Sequence, residues 1–200
     1  MPWYPTGVTL RTILAGMLVT VLFLPASAQP RRWVPNPAKS VVTFDATHQM
    51  GDFSGRAEAV TGEFQADTAD LRASITGVAR VRVAVLRTGN DNRDRDMRKV
   101  LDVDRFPEIR FTIGGVEPSF NSVTSSADTL ITVKGGLAVR GVERPVTFLA
   151  RVRLRDDRIW VRGESRIRLT DFGINPPSRL FFRVGDDVTI GFDLTLEPSE

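Results

Sequence analysis

The chain has 200 residues, 27 Lys+Arg against 24 Asp+Glu, and a formal net charge of +3. It has no Cys and a single His, His48, which excludes disulfide stapling, thiol chemistry, Cys-ligated metals and metal sites built on several histidines. Any catalytic triad would have to use His48.

The elements follow in chain order. Arg11 precedes an apolar run from Ile13 to Leu24, which ends in Ala26-Ser27-Ala28. This is a basic n-region, a short h-region and an A-x-A cleavage site. Residues 1–28 are expected to be a secretory signal peptide cut before Gln29, with an uncleaved anchor as the alternative. The remaining 29–200 has the length of one domain. Losing Arg11 lowers the net charge from +3 to +2. An exported protein has little use for nucleic acid, whereas a mildly basic one suits transient contact with an anionic membrane surface.

From residue 41 the dominant pattern has period 2. Val42, Phe44, Ala46 and His48 share one face, against Thr43, Asp45 and Thr47. Val60, Gly62, Phe64 and Ala66 alternate with Thr61, Glu63 and Gln65. Ile75, Gly77, Ala79, Val81, Val83 and Val85 oppose Thr76, Arg80, Arg82 and Ala84, which predicts one long strand. Asn90–Phe111 breaks the pattern. Met97, Val100 and Leu101 recur at i, i+3, i+4, so a short helix is expected at about 92–101, capped by Asp91 or Asn92. Alternation resumes with Ile109, Phe111 and Ile113, then Ile131, Val133, Leu137 and Val139. Val146, Phe148, Ala150, Val152 and Leu154 follow, then Ile159, Val161, Gly163, Ser165 and Ile167. Val188, Ile190, Phe192, Leu194 and Leu196 end the series. "RDDR" at 155–158 reads as a tight hairpin and "RGVERP" at 140–145 as a looser turn. Irregular stretches are expected at Pro35–Lys39, Phe120–Ser126 and "TDFGINPPSRLFF" (170–182), the last a lid or plug.

About eight strands, each with one apolar and one polar face, describe an all-β antiparallel fold. To avoid open edges they must close as a barrel or stack as a sandwich. Several inner positions are small, among them Ala46, Gly62, Gly77, Ala79, Ala150 and Gly163. This favours a barrel with a cavity over a filled sandwich.

Five aspartates fall between Asp91 and Asp104. Asp91 with Arg95, Asp94 with Arg98, and Arg98 with Asp102 are spaced i, i+4, as helix-supporting ion pairs. A calcium loop would need a central Gly and a final Glu, which "DNRDRDMRKVLD" lacks, so no metal is expected. Arg151, Arg153, Arg155, Arg162, Arg166 and Arg168 read as a solvated outer stripe, with docking to anionic lipid or phosphate as the sharper alternative.

"FDATH", "VTGEF", "TGNDNRDRDMRKVLDVDRFPEIRF", "VKGGLAVRGVERPVTF", "RLTDFGI" and "VGDDVTIGFDLTLE" occur in this order over about residues 33–197. Together they resemble the YceI-like family of exported bacterial proteins. The resemblance implies a lipocalin-like antiparallel β-barrel with one short helix capping an end, located in the periplasm. It implies an interior that holds a polyisoprenoid or similar long-chain amphiphile (a prenyl lipid, quinone or fatty-acid derivative), with no catalysis and no cofactor beyond that ligand.

On this reading the cavity would be lined by Phe44, Ala46, His48 and Phe64, by Val81, Val83 and Val85, and by Met97 and Leu101 from the helix. Phe111, Ile113, Leu137, Phe148, Val161, Phe172 and Phe192 would complete it. His48, Arg93 and Asp94 are the candidate head-group contacts; the first reading of His48 is a buried, hydrogen-bonded core histidine. Two other readings stay open: a lipid-modifying enzyme pairing His48 with Asp94 or Asp96, and a ligand-free envelope stress protein with a filled core. A homodimer stays open too, since no residue argues for it.

Overall fold

Alternating side chains bury one face of each strand, and the strands curl around that face. In the computed structural model, residues 30–48, 51–68, 75–118, 128–176, 178–179 and 182–199 are described. The expected signal peptide at 1–28, the stretch at 120–126, and residues 177 and 180–181 lie outside them.

The strands are β1 (Arg31–Pro35), β2 (Val41–His48), β3 (Phe53–Glu58), β4 (Thr61–Ala66) and β5 (Thr76–Arg82). After helix α1 (Asp91–Val100) come β6 (Glu108–Pro118), β7 (Thr129–Val139), β8 (Val142–Arg155), β9 (Arg158–Arg168), the two-residue β10 (Ser178–Arg179) and β11 (Phe182–Pro198). All pairings are antiparallel. The path β1-β4-β5-β6-β7-β8-β9-β11 closes on itself through β11–β1, giving an eight-stranded barrel. β11 is long enough to pair with β1 near its C-terminal end and with β2 over Val184–Asp193. β2 therefore continues the wall above β1, and β3 continues it above β4. Ala59, with φ 63°, makes the corner between β3 and β4.

Turn chemistry fixes the register. Arg140 and Gly141 (φ 52° and 77°) form a two-residue hairpin loop, as do Asp156 and Asp157 (φ 49° and 55°). Two successive left-handed residues match the twist of the flanking strands. The first loop is tighter than the sequence suggests, because β8 already begins at Val142 and carries Pro145 opposite Gly136.

The expected long strand at 75–87 is interrupted. β5 ends at Arg82, and Val83–Val85 form a 3₁₀ turn. Val83 N–H donates to Pro107 O at 2.8 Å, and Leu86 N–H to Val83 O at 3.2 Å. The hydrophobic alternation runs on through the turn, because Val83 is still buried, at 1% exposure, in the core beneath it.

Of the small inner residues, Ala46 and Ala79 line the cavity, whereas glycines of the wall are covered by rings. Phe44 stands opposite Gly55, Phe64 opposite Gly77 and Phe192 opposite Gly163. A Cβ added to these glycines would lie 2.2, 2.4 and 2.8 Å from the facing ring. Each ring thus lies against its neighbour's bare backbone. The glycines are covered rather than empty, and the rings stay against the wall instead of filling the centre.

Candidate binding cavity

The barrel encloses a cavity of about 1090 Å³, beyond the upper end of the roughly 300–1,000 Å³ usual for small-molecule pockets. At the end away from α1, Trp33 forms the floor. It is 2% exposed, its Nε1–H donates to Ala66 O at 3.3 Å, and Ile159, Leu194 and Leu196 pack with it in one cluster. Along the walls the rings of Phe111 and Phe148 meet edge to face at 5.1 Å, and those of Phe148 and Phe192 at 5.3 Å. Thr43 aside, the polar lining is His48, Asn90, Asn92, Arg93, Asp96 and Lys99, drawn from the end of β2 and from α1 with its cap. The cavity is therefore apolar along its length and polar at one end.

α1 covers that end. Asn90 is its N-cap, one position before the expected Asp91 or Asn92, and its Oδ1 accepts from Arg93 N–H at 3.1 Å. A short polar cap satisfies one of the orphan N–H groups of the first turn. Met97, Val100 and Leu101 line the cavity, so the i, i+3, i+4 stripe faces inward.

Of the expected lining, Phe44, Ala46, His48, Phe64, Val81, Met97, Leu101, Phe111, Ile113, Leu137, Phe148, Val161 and Phe192 face the cavity. Val83 and Val85 do not, because the 3₁₀ turn carries them out of the wall. Phe172 does not either. It sits, 2% exposed, in the turn Leu169–Phe172 that follows β9, within the core cluster. It packs in the core at that corner, while Ile174, in the same 170–182 stretch, is buried and lines the cavity.

Asp94 also departs from expectation. It is 2% exposed and outside the lining. Thr88 N–H and Oγ1–H donate to its Oδ1 at 2.8 and 2.5 Å. Arg93 Nε–H in turn donates to Thr88 Oγ1 at 2.9 Å, and Nη2–H to Thr88 O at 3.1 Å. This buried clamp ties the segment before α1 to the helix and places Asp94 behind the lining, whereas Asp96, the other expected partner of His48, lines the cavity with it. Among the described residues, the ion pair at Asp102 is with Arg105, at 3.2 Å, where Arg98 was expected. Arg93 does reach the cavity, with its guanidinium 4.3 Å from the centroid of the Phe53 ring on β3, a contact worth about 0.5–2 kcal/mol.

Burial pushes the Asp94 carboxyl up. The Thr88 side-chain and backbone hydrogen bonds, with the charges of Arg87 and Arg98, outweigh that and hold it below the ordinary carboxylate value. A depressed folded-state pKa stabilises the fold above the unfolded value of about 3.9, and that stability is lost as the pH falls through the folded value. Wild-type stability, read as urea midpoints from pH 7 to pH 2, is expected to fall below about pH 4. Asp94→Asn should be less stable at neutral pH and show a shallower acid slope.

Residue parity alone did not single out Trp33, Phe53, Asn90, Asn92, Asp96 or Lys99, all of which line the cavity. Trp33 carries a faint signal: with Pro35 it forms the buried side of a five-residue alternation.

The sequence model of the YceI-like domain matches residues 33–196. The chain belongs to the YceI-like family. A UPF0312 protein of Pseudomonas putida is 28% identical to this YceI-like chain over 137 residues, covering 64% of it and 67% of the relative. Two solved structures share the fold. BcnA of Burkholderia cenocepacia superposes with a TM-score of 0.68 at 18% identity, covering 80% of this chain and 98% of its own. A domain from Saccharophagus degradans, described as polyisoprenoid-binding and implicated in plant cell wall breakdown, gives 0.65 at 17% identity, covering 85% and 99%. The barrel expected from the YceI-like motifs is therefore the barrel observed.

Proposed function

We propose that this YceI-like protein is a carrier that holds a long-chain, isoprenoid-like amphiphile non-covalently in its barrel, without catalysing a reaction on it. The observation that carries this reading is the shape of the cavity: about 1090 Å³, apolar along its walls apart from Thr43, and polar at the end that α1 covers. A chain lying along the rings of Phe111, Phe148 and Phe192 would gain about 0.8 kcal/mol per buried CH₂. Its head group would stay near His48, Asn92, Arg93 and Lys99. The polyisoprenoid-binding description of the Saccharophagus degradans domain supports the same ligand class.

Residues 1–28 direct export to the periplasm on this reading, and the carrier loads and unloads at an anionic membrane surface. Native mass spectrometry of protein purified from its own periplasm tests both parts. The expected spectrum shows a chain beginning at Gln29 with a lipid-sized adduct, and stripped protein takes up added prenyl lipid or quinone. A ligand-free spectrum together with no uptake would overturn the carrier reading. Retention of residues 1–28 would overturn the export route.

A further inference from the structure

The charges at the polar end of the cavity are held in different ways. Asn90, Asn92, Asp96 and Lys99 are exposed, so water solvates them. Arg93 is half-buried, and its side chain is fixed from two directions. Its Nε–H donates to Thr88 Oγ1 at 2.9 Å and its Nη2–H to Thr88 O at 3.1 Å. Its guanidinium carbon lies 4.3 Å from the centroid of the Phe53 ring. A guanidinium presents a rigid fork of donors, and here that fork is positioned before any ligand arrives. Little side-chain freedom is then left to lose on binding.

Both oxygens that accept from this side chain are neutral. Among the described residues no carboxylate forms an ion pair with Arg93, and its Nη1 donates to no protein group. Asp94, the next residue, gives its Oδ1 to Thr88, and the charges that act on it are those of Arg87 and Arg98. Asp91 is exposed. The lining as a whole sets two cations, Arg93 and Lys99, against one carboxylate, Asp96. Arg93 also stands in the first turn of α1, where the helix dipole favours anions over cations. A part-desolvated cation without a counter-charge is costly. An anionic ligand group meeting Nη1 would supply that counter-charge, through a hydrogen bond about twice as strong as a neutral one. An alcohol or a quinone carbonyl would supply only an acceptor.

We infer that Arg93 selects ligands with an anionic oxygen head group, a carboxylate or a phosphate, over neutral ligands of the same chain. This rests on the carrier reading and adds the head-group class and the residue that reads it.

All-trans-retinol and all-trans-retinoate share one isoprenoid chain and differ in the head group. Both absorb where tryptophan emits, and Trp33 lines the cavity, so quenching of tryptophan fluorescence reads their binding. At neutral pH the wild type is expected to bind retinoate roughly tenfold more tightly than retinol, about the worth of one charge-assisted hydrogen bond. Arg93→Gln should remove that preference. The ratio of the two affinities is the readout, so a general loss of binding does not imitate the effect. Equal affinities in the wild type, or a preference that persists in Arg93→Gln, would overturn the inference. If Arg93→Gln does not fold, the wild type decides. A bound retinoate labelled with ¹³C at its carboxyl should stay ionised down to about pH 5, because an adjacent cation lowers a carboxyl pKa. A carboxyl that titrates above that value sinks the idea. Geranylgeranyl phosphate and geranylgeraniol, as competitors of retinoate, separate the two sources. Displacement by the phosphate alone extends the class to phosphates, and displacement by neither confines it to carboxylates. Displacement by the alcohol at least as well as by the phosphate counts against it. No quenching by either retinoid at any concentration would instead remove the carrier reading, and the head-group preference with it.

Discussion

Replacing Trp33 by Ala is expected to lower the unfolding free energy by about 3–5 kcal/mol, the usual cost of truncating a fully buried large aromatic. Trp33 joins three parts of the wall. Its strand pairs with β4 at Trp33↔Phe64 and with β11 at Trp33↔Pro198, and its side chain floors the cavity. Removing it opens the barrel where β1 closes the ring, and leaves a void that the surrounding strands cannot fill without losing register. Urea midpoints give the size of the effect. Trp33→Phe should recover more than half of the loss, since it restores most of the volume but not the hydrogen bond to Ala66 O. A Trp33→Ala cost below about 1 kcal/mol would show that the floor is not structural.

The second large effect is expected at Gly163. An added Cβ there meets Leu149 O at 2.7 Å, the Ala150 Cβ at 2.8 Å and the Phe192 ring at 2.8 Å. The backbone oxygen cannot yield without moving β8, and the ring can yield only by swinging into the cavity. Gly163→Val should therefore cost about 1–3 kcal/mol by overpacking and, separately, reduce uptake of long-chain ligands. Gly163→Val/Phe192→Ala should recover uptake, because the displaced ring is gone. Thermal unfolding reads the first effect and probe titration the second. Retained capacity in Gly163→Val would show that Phe192 has another place to go.

How much of this was legible in the sequence depends on which force acts where. Alternation reported the inner face faithfully wherever a strand stays in the ring. Phe44, Phe64, Phe111, Phe148 and Phe192 all line the cavity as their parity requires. It failed at Val83 and Val85, because burial beneath a 3₁₀ turn selects the same residues as burial inside a strand. What separates the two cases is the 3₁₀ bond from Leu86 N–H to Val83 O, which no residue pattern displays. β3 escaped notice for a related reason. Its buried residues are Gly55 and Ala57, too small to register as an apolar face. Asp94 misled in the opposite sense: i, i+4 spacing suggested Arg98, but a threonine six positions upstream takes the carboxylate into the interior. The polar end of the cavity was the least readable. Asn90, Asn92, Asp96 and Lys99 look like ordinary helix surface until the barrel is placed beneath them.

β11 runs for 17 residues, from Phe182 to Pro198, with one register shift against β2 between Val184 and Val188, while the wall beside it is made of shorter pieces stacked end to end. The molecule is consequently anisotropic as a material. Its β8–β9–β11 side is a continuous backboard, and its β3 side is a jointed panel. Elastic deformation concentrates in the panel, so one side of the barrel flexes while the opposite side keeps its shape.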